Sequence, residues 1–141
     1  SGNAVAMNAA GTIVAIGALK NDGGSGADSG HIRVYQFDSS TIMDWIPMGG
    51  DIDGEDQGDQ FGKSISLSDS GIILAVGATN NDGSSAGEDS GHVRVFEWIA
   101  QSGTWVKIGD DIDGEFAQDN SGISVALSGN GQYVAIGAYY N

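Results

Sequence analysis

Cysteine is absent from the chain, which excludes disulfides, zinc–thiolate centres and a cysteine nucleophile at once. Positive charge is scarce: Lys+Arg number 5 against 19 for Asp+Glu, giving a formal net charge of −14. So acidic a surface repels phosphate backbones and anionic headgroups, because nucleic-acid affinity rests on Lys and Arg neutralising phosphates. Nucleic acid and membrane surfaces are therefore not expected as partners. No apolar run approaches the roughly 18 residues of a spanning helix, so no direct membrane insertion is expected. Helical periodicity of useful length is missing too, and the one proline, Pro47, falls near the end of a hydrophobic run.

What the chain does have is 24 glycines and a repeat. The segments Gly11-Thr12-Ile13-Val14-Ala15-Ile16-Gly17-Ala18, Gly71-Ile72-Ile73-Leu74-Ala75-Val76-Gly77-Ala78 and Gly131-Gln132-Tyr133-Val134-Ala135-Ile136-Gly137-Ala138 stand sixty residues apart. Trp45 and Trp105 keep that period, as do Asp51-Ile52-Asp53-Gly54-Glu55 and Asp111-Ile112-Asp113-Gly114-Glu115. His31-Ile32-Arg33-Val34-Tyr35 returns as His92-Val93-Arg94-Val95-Phe96, one residue late because the preceding loop is one residue longer. Internal repetition on this scale marks an array of similar units rather than one irregular domain.

Each unit reads as four strands. The first lies near Asn3 to Asn8, Lys63 to Ser68 and Ile123 to Ser128, with large Val5, Ile65 and Val125 alternating with small Ala6, Ser66 and Ala126 at period two. After a tight turn ending in glycine, the second strand alternates Val14 and Ile16 with Ala15 and Gly17, a pattern that suits a strand covered on both faces. The third carries His31, Arg33 and Tyr35 on one face and Ile32 and Val34 on the other. The fourth begins at Trp45 or Trp105, where Pro47 fits an outer edge strand because proline cannot donate to a central ladder. The expected fold is all-β: tandem four-stranded antiparallel blades of a β-propeller, with residues 1–60 and 61–120 as two blade-like repeats and 121–141 as the first two strands of a third. An open β-repeat array or a β-solenoid is the alternative. A propeller closes with four to eight blades, so this chain is not expected to close alone, and its break at Asn141, where the other units continue Asn-Asp-Gly, reads as truncation.

With Phe61-Gly62 opening the second unit and Val76-Gly77-Ala78 ending its second strand, the repeat resembles the FG-GAP type that builds the integrin α-chain propeller. Ser1-Gly2 and Ser121-Gly122 stand where Phe61-Gly62 does, and Thr79, Leu19 and Tyr139 replace the proline of the family's name. Calcium-binding members carry an Asp-rich loop between the first two strands. Here that hairpin reads Asn8-Ala9-Ala10-Gly11, Ser68-Asp69-Ser70-Gly71 and Ser128-Gly129-Asn130-Gly131. At most one carboxylate per turn is too few for a hard cation that takes six to eight oxygens, so the family's calcium site does not carry over to those positions.

Other oxygen clusters remain as candidates. Asp51, Asp53, Glu55 and Asp59 recur as Asp111, Asp113, Glu115 and Asp119, and carboxylates alternating around a glycine could hold calcium; otherwise they form an inter-blade turn bonded to local amides. The loops Asn21-Asp22-Gly23 to Asp28-Ser29-Gly30 and Asn81-Asp82-Gly83 to Asp89-Ser90-Gly91 favour turns with positive φ. His31 with Arg33, and His92 with Arg94, read as structural polar pairs, because no nucleophile and orienting acid recur beside the histidines. Arg33 and Arg94 are expected to bridge to acidic turn residues such as Asp53 or Asp113 and hold neighbouring blades in register. Trp45, Trp98 and Trp105 suit either edge packing or a platform for stacking sugars.

These features point away from an enzyme. They fit an extracellular or cell-surface binding and adhesion module whose partner is a protein or a glycan. The alternative is a structural subunit that assembles with copies of itself into a filament or surface layer.

Overall fold

A computed structural model describes residues 2–22, 25–41, 43–82 and 87–141. Among them the fold is all-β, without helices, and its antiparallel sheets do not close into a barrel. The first sheet holds β1 (Ala4–Met7), β2 (Ile13–Ala18), β3 (His31–Asp38) and β4 (Asp44–Pro47) in sequential order, with β5 (Ile52–Asp53) pairing β3 beyond the end of β4. The second holds β6 (Ser64–Leu67), β7 (Ile73–Ala78), β8 (His92–Ile99) and β9 (Thr104–Asp113) in the same order, and the third pairs β10 (Ser124–Leu127) with β11 (Val134–Gly137).

The three inner hairpins share one chemistry. Gly11, Gly71 and Gly131 take φ of 69°, 77° and 71°, a left-handed geometry that glycine enters at no steric cost. Their amides donate to the carbonyls of Asn8, Ser68 and Ser128 at 3.0, 2.9 and 2.8 Å. The side-chain oxygens of those three residues then accept from the amides of Ile13, Ile73 and Tyr133. Asn8, Ser68 and Ser128 are thus occupied in closing their hairpins.

Alternation along the strands produces the stacking of the sheets. Ile13, Ala15, Ile32 and Val34 project from the first sheet towards the second, where Leu74, Val76 and Phe96 meet them, and Phe61 lies fully buried between. The second strand's small position is needed at the inner edge: a Cβ on Gly17 would run into the carbonyl of Gly62, and one on Gly77 into that of Gly122. Phe61 meets Phe96 edge-on with ring centroids 6.1 Å apart. Burying such a ring contributes about 1.5–3 kcal/mol by transfer alone, so this one side chain does much to hold the two sheets together.

One expectation is corrected. The segments Asp51–Glu55 and Asp111–Glu115, read as inter-blade turns, begin as strand. Ile52 pairs with Ile32 in β5, and Ile112 pairs with Val93 near the end of β9. The isoleucines hold these residues to the sheet, and the turn starts only at the following glycine. Pro47 and Lys107 occupy equivalent positions, opposite Tyr35 and Phe96. The strand ends at the proline in the first sheet but continues through Lys107 in the second, at the cost of a bulge between Val93 and Val95.

Candidate functional site

The most organised polar constellation among the described residues lies beside this bulge. Asp111 faces the Arg94 guanidinium, which donates from Nε and Nη2 to its two carboxylate oxygens at 2.9 and 2.7 Å. Lys107 Nζ adds a third contact to Asp111 at 2.6 Å. The first sheet repeats the two-point pairing between Arg33 and Asp51, both bonds 2.9 Å. The guanidinium partners are therefore Asp51 and Asp111, two residues before the expected Asp53 and Asp113, because Asp53 and Asp113 sit in the ladder opposite His31 and His92. Bidentate pairing fixes orientation as well as charge.

Among the described residues Arg94 has a further partner that Arg33 lacks: Glu55, from the loop that leaves the first sheet. This contact joins the two units. Burial opposes the charge on Arg94, yet the hydrogen bonds it donates to Asp111 and Glu55 outweigh it and raise its pKa above the ordinary value. Hydrogen bonding to Arg94 holds the Asp111 carboxyl well below the usual carboxylate range, and Arg33 lowers Asp51 in the same way. His92, 1% exposed, is pushed to a lower pKa by burial and then by the nearby Arg94 charge.

A polar groove of about 440 Å³ opens beside this cluster, lined by Glu55, Asp56, Asn81, Asp82, Lys107, Asp110, Asp111 and Asp113. Ligand atoms of Glu55, His92 and Asp111 lie within 4.8 Å of one another, the one such trio found among the described residues. Arg94 already pairs with both carboxylates and Lys107 with one of them, so an incoming cation would compete with two resident ones.

The carboxylates read from sequence as a calcium loop do not gather at one point. Asp51 faces Arg33, and Asp53 stands in β5. Glu55 reaches Arg94, while Asp59 accepts from the Asp56 amide at 3.1 Å and from Asn81 Nδ2 at 2.9 Å. In the second unit Asp111 is taken by Arg94, Asp113 ends β9, Glu115 is exposed, and Asp119 accepts from the Phe116 amide at 2.9 Å. Strand pairing spreads these groups along the edge of the sheet. Burial raises the pKa of Asp59 despite its hydrogen bonds.

The long loops lie at the same end as the groove and are joined to it. Amides of Gly54, Gly58, Gln60 and Phe61 donate to carbonyls of Gly30, Ala27, Asp28 and Ser29. Gly114, Gln118, Asn120 and Ser121 do the same to Gly91, Glu88, Asp89 and Ser90. Positive φ falls at Asp28 and Asp89, both 53°, while Gly23 and Gly83 lie outside the described residues, as does Ser1. Asp22 accepts the Asp28 amide and Asp82 the Asp89 amide.

His31 is buried at the start of β3, and the tryptophans pack near the outer strands. Trp105 donates Nε1 to the Met48 carbonyl of the first unit at 2.8 Å and lies 5.6 Å from Trp98, whereas Trp45 leans on Phe37 and keeps 38% of its surface exposed. The signal that sequence reasoning missed is the Glu55–Arg94 contact. Glu55 belongs to one repeat and Arg94 to the next, and neither period nor pattern says which loop residue reaches across.

Compared with models of known protein families the sequence matches none, and among curated proteins it has no significant match. No helix of the described residues is long and apolar enough to cross a membrane.

Proposed function

We propose that the chain is a non-enzymatic binding and adhesion module of the extracellular space or cell surface, built from propeller-type blades of the FG-GAP kind. The observation that carries this reading is the pair of joined loops at the same end of successive units. Each pair is tied by four backbone hydrogen bonds, and an acidic groove lies between the units. Loops held this way on a stack of sheets form a pre-ordered surface, which lowers the entropic cost of binding. A protein or glycan partner would meet Asp56, Asp82 and Asp110 there. The test is an array of glycans and matrix proteins probed with the whole chain. A retained partner released by Asp82→Asn plus Asp110→Asn supports the reading, and no retained partner contradicts it.

A second reading, a structural subunit that assembles with copies of itself, is favoured by one feature. Val5 and Met7 on the first sheet and Tyr133 on the third are 64%, 54% and 73% exposed, at opposite ends of the stack. Light scattering and negative-stain imaging distinguish it, since a monodisperse monomer would argue against assembly.

A further inference from the structure

The first two units meet near their outer strands in a pocket of about 340 Å³, lined by Gly50, Asp51, Ile52, Asp53, Thr104 and Trp105. One wall is the segment that enters β5 in the first unit, and the other is the start of β9 in the second. The pocket shares no lining residue with the acidic groove. Its size falls at the lower end of the range for small-molecule sites, about 300–1,000 Å³, which suits a ligand of one ring.

Trp105 is a fixed wall. Its Nε1 donates to the Met48 carbonyl at 2.8 Å, and its ring leans on Trp98 with centroids 5.6 Å apart. Glycine at position 49, with φ of 88°, lets both rings close on the backbone, since a Cβ there would come within 2.9 Å of Trp98 and 3.2 Å of Trp105. A ring held this way loses little freedom when a ligand stacks on it. The opposite wall is polar. Asp51 and Asp53 are exposed, and β5 pairs with β3 alone, so the other edge of its backbone has no strand partner among the described residues.

An indole beside carboxylates and free backbone groups fits two chemistries. A sugar ring stacks its C–H face and donates from its hydroxyls, while an organic ammonium ion uses its charge on the ring and the carboxylates. The Asp51 carboxylate already accepts two hydrogen bonds from Arg33, so its charge is answered. What it keeps is lone pairs for neutral donors, and that favours the sugar.

We propose that this pocket binds one neutral hexopyranose ring of a glycan, stacked on Trp105 and hydrogen-bonded through its hydroxyls to Asp51, Asp53 and Thr104. The inference rests on the binding-module reading above and deepens it, at a site separate from the groove. One ring on one platform binds weakly, with Kd in the millimolar range.

The experiment follows the indole N–H signals of the 3 tryptophans by NMR on the whole chain, assigned with Trp45→Phe and Trp98→Phe. Methyl β-galactoside, methyl β-glucoside and N-acetylglucosamine are added in turn, with choline as the ammonium arm. At least one sugar is expected to move the Trp105 signal saturably at millimolar concentration while Trp45 stays in place. Asp53→Ala, its fold checked by thermal midpoint, should weaken that sugar by about fivefold, the loss of one hydrogen bond. Tighter binding of choline than of any sugar, a shift that never saturates, or no shift at all would each overturn the sugar site. A partner retained on the array and released by Asp82→Asn plus Asp110→Asn would in that case leave the binding-module reading standing.

Discussion

Arg33 and Arg94 hold the same place in two copies of one sheet and live in different surroundings. Among the described residues the Arg33 side chain, 52% exposed, has one carboxylate partner, whereas that of Arg94, 8% exposed, has two. Their own sheets treat them alike, since each makes the same two-point bond to the aspartate of its outer strand. The difference comes from the first unit, whose loop brings Glu55 to Arg94 and whose inward face covers the sheet around it. In a stack of repeats, then, a residue's environment is set by its neighbour as much as by its own unit. The tryptophans repeat the lesson: Trp105 bonds to the first unit, and its counterpart Trp45 stays partly in solvent.

The contrast is broken most severely at the ring that the two units share. Phe61→Ala should cost about 3–5 kcal/mol by emptying a buried site between the sheets. Ser121, its counterpart before the third sheet, has far less to lose, and Ser121→Ala should cost under about 1 kcal/mol. Urea unfolding of both variants gives the comparison directly. Next in size is the arginine pair. Arg94→Ala strips Glu55 of its cation and leaves Asp111 with Lys107 alone, and should cost about 2–3 kcal/mol, below the usual figure for a buried pair because both carboxylates keep some solvent. Arg33→Ala breaks an exposed, solvent-screened pair and should lower the thermal midpoint measurably but far less than Arg94→Ala does.

Much of the comparison was legible in the sequence. The sixty-residue period placed the inner strands β1, β6 and β10 within a residue or two, and it paired His31 with His92 and Arg33 with Arg94. Pro47 marked an outer strand. The guanidinium partners were not legible, because Asp53 and Asp113 are taken into the ladder opposite His31 and His92, and that register leaves no mark in hydrophobic alternation. Nor was the dispersal of the Asp51–Asp59 carboxylates. Spacing alone suits a cation loop, and only the pairing of Ile52 with Ile32 shows that the segment is spread along a strand.

Acid should act on the second unit in two steps of modest size. An unfolded histidine takes its proton near pH 6.5, while buried His92 takes it only at lower pH, so stability is full above about 6.5 and falls as pH drops towards the folded value. His92→Gln should flatten that limb in urea midpoints measured between neutral and mildly acid pH. The depressed Asp111 carboxyl contributes stability above the unfolded aspartate value of about 3.9, and this is lost as pH falls through its lower folded pKa. Asp59 has the opposite sign: its raised pKa means that protonation on the way down to about 3.9 relieves the folded state.

The smallest effect should be that of calcium. With the loop carboxylates spread out and several already paired, calcium and sodium at matched ionic strength should raise the melting temperature equally by screening a chain of net charge −14. A rise specific to calcium and lost in Asp53→Ala plus Asp113→Ala would instead establish a site there, through stabilisation by mass action.

The claim that one unit completes the polar core of the next is tested most directly by a double-mutant cycle on Glu55→Ala and Arg94→Ala in urea. The contact across the units predicts a coupling of about 1–3 kcal/mol between them, with no comparable coupling between Glu55 and Arg33. Strictly additive losses at Glu55 and Arg94 would contradict it.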